Sequence, residues 1–126
     1  MAQSLTVKPM CGRLTRDTES MGSMDPYLKL TIGARQERSR VHPDGGKFPQ
    51  WNDEFNFAIT TEDIVKFEVW DRNHVSSDSM VGEGAIAIAT VKERRDFEDW
   101  FEISFKGKAS GSVRLGFKYT PDAATK

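Results

Sequence analysis

The sequence predicts an all-β domain, an eight-stranded antiparallel β-sandwich, on three observations. Apolar residues alternate with polar ones at period 2 in one short segment after another. Clusters rich in Gly, Pro, Asp and Ser punctuate those segments at regular intervals. Helical periodicity is confined to a single short stretch, ATVKERRDFED at residues 89–99, long enough for a turn or two.

Taken in order, Leu5 and Val7 begin the first strand on odd positions. Leu28, Leu30 and Ile32 form one face of the second, after a turn through Asp25-Pro26. The polar segment ARQERSRV, residues 34–41, reads as an exposed or edge strand. Phe55, Phe57 and Ile59 alternate in the fourth strand, and Val65, Phe67 and Val69 in the fifth. Ile86 and Ile88 alternate with alanines in the sixth. Phe101, Ile103 and Phe105 mark the seventh, and Val113, Leu115, Phe117 and Tyr119 the eighth. Between them fall MGSM, HPDGGKFP, TTED, HVSSDS and KGKASG, all turn-forming.

The length, 126 residues, suits one domain over residues 1–120 with a flexible tail at 121–126. Charged residues make up 29% and hydrophobic ones 37%, a globular rather than a disordered composition. A net charge of −1 leaves no global basic field, which argues against a nucleic-acid partner. A single cysteine, Cys11, excludes an internal disulfide framework and fits a reducing compartment. No apolar run approaches the roughly 20 residues that span a bilayer. MAQSLTVKPM lacks the form of a signal peptide, and Ala2 stands where myristoylation needs glycine. The expected location is cytoplasmic, with any membrane contact peripheral and reversible.

If successive strands run antiparallel, alternate connections share one end of the sandwich. The first, third and fifth connections, residues 13–25, 42–49 and 72–80, then lie together, with TTED and the KERR segment opposite. Asp17, Glu19 and Asp25 belong to the first, Asp44 to the third, Asp71 and Asp78 to the fifth. Carboxylates gathered from three loops suit a hard cation, because calcium takes 6–8 oxygens from side chains, carbonyls and water. One histidine in the fifth connection, His74, among oxygen donors suits calcium better than zinc.

Three motifs, MDPYLKL, FPQWNDEFNF and VWDRN…MVGEGAI, in this order and spacing resemble the C2 domain over essentially the whole chain. The similarity is to small C2 proteins of the second topology, in which GSVRLGFKY forms the last strand. The resemblance implies an eight-stranded sandwich that binds calcium through three loops and docks on anionic phospholipid. It maps the ligand positions onto Glu19, Asp25, Asp71 and Asn73, with Asp78 one residue before the position occupied by Ser79. Asp17 matches an outer-loop carboxylate seen in some small relatives. Glu19 stands where the family has aspartate, and Asn73 keeps an oxygen without the charge. Sites with so few charges bind weakly, so the expectation is at most one calcium ion held well, the alternative being that none binds until phospholipid oxygens complete the shell.

Two features bear on docking. Met21, Met24 and Val75 are placed to dip into the headgroup region, packing into the sandwich being the competing reading for the methionines. Lys29, Arg35, Arg38, Arg40 and Lys47 outnumber the acids around them and form a candidate lipid-binding patch, the rival reading being a solvated edge strand. An enzyme is not expected, since neither histidine nor Cys11 stands in a nucleophile context. Two functions stay open: a calcium-responsive membrane module, and a calcium-independent protein- or lipid-interaction domain with a degenerate calcium site.

Overall fold

Alternating side chains become eight strands and one short helix. In order these are β1 (Gln3–Leu14), β2 (Pro26–Ile32), β3 (Arg35–Arg38), β4 (Phe55–Ile59), β5 (Ile64–Asp71), β6 (Ser79–Ala87), α1 (Ile88–Arg94), β7 (Asp96–Phe105) and β8 (Lys108–Thr120). The structure, a computed structural model, describes residues 3–19 and 21–121. Residues 122–126 of the expected tail, and the first two residues of the expected domain, lie outside the described residues.

Every pairing is antiparallel, in the order β3-β2-β5-β6-β7-β8-β1-β4. A single residue pair, Glu83 with Ser104, joins β6 to β7, and there the sheet folds over into two four-stranded layers. Between the layers lie the inward faces predicted from period 2: Leu5 and Val7, Leu28 and Leu30, Phe57, Phe67, Val113 and Leu115 are all at most 1% exposed. Trp51 closes this core at the top of β1, at 2% exposure, with its indole N–H donating to the Pro26 carbonyl at 3.2 Å. Trp70 and Trp100 are only partly buried, as rim residues.

The sixth strand lies earlier than the alternation of Ile86 and Ile88 suggests. It starts at Ser79, and Ile88 opens α1 instead, burying its side chain with Val91 one turn on. Two glycines hide the pattern. A Cβ on Gly82 would collide with the Ser110 hydroxyl, and one on Gly84 would sit 2.6 Å from the Phe67 ring and 2.7 Å from the Glu102 carbonyl. Close approach of the layers requires hydrogen at both sites, so the strand carries no apolar signal there.

With β1, β3, β5 and β7 running one way and the others opposed, four connections meet at one end: residues 15–25, 39–54, 72–78 and 106–107. The helix and residues 60–63 occupy the other end. The last of the four is a two-residue hairpin turn with both central residues left-handed, Lys106 at φ 50 and Gly107 at φ 81. Such turns match the strand twist and normally take Asn, Asp or Gly. A lysine at the first position costs about 1 kcal/mol.

Candidate functional site

The three long connections are knitted together by backbone groups bonding to carboxylates. Asp71, at the end of β5 and fully buried, accepts the Asp25 N–H at 2.8 Å and the Thr18 hydroxyl at 2.8 Å. Asp25 in turn accepts the Asp44 N–H at 2.8 Å, and its other oxygen lies 3.9 Å from His74 Nε2. Backbone bonds add to the tie: Arg72 N–H to the Asp25 carbonyl at 3.0 Å, and Gly46 N–H to the Met24 carbonyl at 3.1 Å. Thus one acidic residue from the first connection and one from the end of β5 hold all three loops in register.

Glu19 joins this group from the first connection. Its carboxyl is pushed from an ordinary 4.5 up to about 7, chiefly because it shares a hydrogen bond with Asp71, then by the charges of Asp71, Asp25 and Asp17. Native Glu19 therefore keeps its proton to higher pH than the unfolded chain does, and folding loses stability from this group as pH rises between about 4.5 and about 7. In chelator, Glu19→Gln is expected to raise the melting temperature relative to the parent at about pH 8. The difference should shrink towards zero near pH 4, and thermal melts across that range check it.

The remaining expected ligands point elsewhere. Asp78 accepts the Tyr27 hydroxyl at 2.5 Å and the Asn73 N–H at 3.0 Å, and these bonds hold its carboxyl below the usual range. The same contact and burial push the Tyr27 phenol up to about 12, burial being the larger cause. The Asn73 amide is turned inward to the Ser77 carbonyl at 2.8 Å and the Ser79 hydroxyl at 3.0 Å. Asn73, Asp78 and Ser79 thus shape the fifth connection, while Glu19, Asp25 and Asp71, with Asp17 at the rim, share one electrostatic centre. Among the described residues no three acidic, histidine or cysteine side chains close into a ready-made cation cage.

The donor set is nonetheless of the kind a hard cation takes: carboxylate oxygens only, crowded enough to keep one of them protonated near neutrality. It falls well short of six oxygens.

Met24 is not a loop tip. Its side chain is completely buried in the core, so the structure corrects the expectation that it inserts into a membrane. Met21 and Val75 do stand out, at 85% and 101% exposure. A third exposed apolar side chain, Phe48 at 69%, was not anticipated and projects from the second of the three connections. Each of the three long connections at this end therefore carries one exposed apolar residue. The five basic residues do not form one patch. Lys29 and Arg38 face each other across β2 and β3, beside a cleft of about 420 Å³. Arg35 is paired with Glu37 at 3.1 Å, Arg40 with Asp53 at 3.4 Å, and Lys47 lies exposed on the second connection.

The C2 domain family profile matches residues 3–103. The 16 kDa phloem protein 2 of Arabidopsis thaliana is 33% identical over 108 residues, covering 71% of this chain and 72% of that protein. Elicitor-responsive protein 3 of Oryza sativa subsp. japonica is 26% identical over 110 residues, covering 84% of this chain and 75% of that protein. Among solved structures, the C2A domain of plant extended synaptotagmin 1 superposes with a TM-score of 0.84 at 22% identity, covering 97% of each chain.

Proposed function

The chain belongs to the C2 domain family, and from that premise we propose that it is a peripheral membrane-binding module, docking on anionic phospholipid through its three-loop end in response to calcium. The observation that carries the reading is the joint placement of the acidic centre and the exposed apolar residues. The loops that converge on Asp25 and Asp71 are those that expose Met21, Phe48 and Val75. No described helix is long and apolar enough to cross a membrane, so the contact proposed is peripheral.

Glu19, Asp25 and Asp71 would hold the ion, with Asp17 at the rim. Calcium, when bound, supplies positive charge and a coordination position for a lipid phosphate oxygen. The chain's own part is electrostatic and positional. The empty acidic centre repels an anionic surface and so keeps the apolar tips away from it. The hydrogen bonds from Asp25 and Asp44 N–H fix the loops beforehand, so little ordering remains to oppose binding.

Co-sedimentation with phosphatidylserine vesicles tests this, with calcium and with chelator, alongside Asp25→Asn. Binding only in calcium, lost in the variant, is expected. Equal binding in both buffers that falls with salt would move the function to Lys29 and Arg38, as a calcium-independent lipid module. No binding in either buffer would leave a C2 scaffold for a protein partner.

A further inference from the structure

The fourth connection at the loop end is basic, and we propose that it is a second seat for anionic headgroups, beside the acidic centre and independent of it. The proposal rests on the membrane-docking reading above. Four observations carry it.

The first is position. Register pairs Leu14 with Gly111, and the Thr15 N–H donates to the Ser110 carbonyl at 2.9 Å, so the β7–β8 turn stands next to the start of the first acidic loop.

The second is a cleft of about 260 Å³, lined by Thr15, Arg16, Phe105, Lys108, Ala109 and Ser110, beside the turn. The third is how its cations are held. The Arg16 guanidinium carbon lies over the Phe105 ring, 3.8 Å from the centroid, and its Nε donates to the Met80 carbonyl at 3.3 Å. These contacts anchor the guanidinium through its carbon and Nε and leave its terminal N–H groups for a ligand. A planar fork of that kind suits a phosphate oxygen pair. Lys106 lies 5.3 Å from the same ring.

The fourth is charge balance. Among the described residues no carboxylate lies within ion-pair distance of Arg16, Lys106 or Lys108, so the positive charge gathered at this turn is not neutralised locally. Lys106 moreover occupies a left-handed position that Asn or Gly would fill with less strain. Three unpaired cations around an aromatic ring, on the end that carries the exposed apolar residues, match an anionic lipid surface.

The test is Lys106→Asn/Lys108→Gln, chosen because Asn suits the left-handed turn and the variant should fold at least as well, which a thermal melt checks. Lys92→Gln/Lys118→Gln, at the opposite end, removes the same charge. On phosphatidylserine vesicles in calcium, each turn lysine is expected to contribute about fivefold in affinity, so the double variant binds about 25-fold more weakly, with a shallower salt dependence. The control should lose at most a few-fold. Equal losses in the two variants, or none in the turn variant, would overturn the proposal while leaving membrane docking intact. Failure of the parent protein to bind vesicles would overturn both, and it is read independently of either variant.

Discussion

Replacing Met21, Phe48 and Val75 together by serine is expected to weaken binding to phosphatidylserine vesicles in calcium about a hundredfold. Burying such a side chain fully is worth about 2 kcal/mol, and a shallow dip into the headgroup region realises about half of it. About 1 kcal/mol per side chain is close to fivefold in affinity, and the three sit on separate loops, so their effects should add. Fold stability should move by less than about 0.5 kcal/mol, since all three are solvent-exposed. Met24→Ser separates insertion from packing. That side chain fills core space, and its truncation is expected to cost about 3 kcal/mol of folding stability, visible as a lower urea midpoint. Vesicle titrations of the triple variant beside denaturation of the single one check both halves. A triple variant that binds like the parent would show that attraction at this end is electrostatic alone.

Met24 and Phe48 show how far alternation along the chain reaches beyond the strands. Strand parity was sufficient for Met24: it lies two residues before Pro26 and four before Leu28, on the same alternate positions as the buried face of β2. The glycine, serine and turn around it masked the continuation of that pattern. Phe48 follows from the same rule. Pro49 is buried with Trp51 and packs over Gly12, where a Cβ would sit 3.2 Å from the proline ring, so the residue before Pro49 turns outward. The basic turn at 106–107 was legible too, because the seventh connection shares parity with the first, third and fifth.

Side-chain direction within the loops was not legible. Spacing put Asp78 one residue from a ligand position, but it could not show that the Tyr27 hydroxyl, arriving from β2, would claim that carboxylate. Nor could it show that the Asn73 amide would close its own loop through Ser77 and Ser79. These are contacts between residues distant in sequence or set by a loop path, and hydrophobic periodicity carries no information about them. The acidic centre was legible where strands set it. Asp25 precedes β2 and Asp71 ends β5, and the register of those two strands places Pro26 opposite Asp71.

Asp71 should therefore respond in two separable ways. Its carboxylate is fully buried and holds the first loop through the Asp25 N–H and the Thr18 hydroxyl. Leucine would leave both donors without a partner, at a cost of about 3 kcal/mol, or about 12 °C in melting temperature for a domain of this size. Asparagine keeps one acceptor oxygen and also removes a negative charge beside Glu19. The lost hydrogen-bond strength and the relieved repulsion oppose each other, and Asp71→Asn is expected to melt within a few degrees of the parent. Calcium should tell the two proteins apart. Ligand-linked stabilisation raises the parent's melting temperature as calcium increases, whereas Asp71→Asn, with one charge fewer in a centre already short of them, should show no such rise. A parallel rise in both would place the ion away from Asp71, and the buried carboxylate would then serve the loop alone.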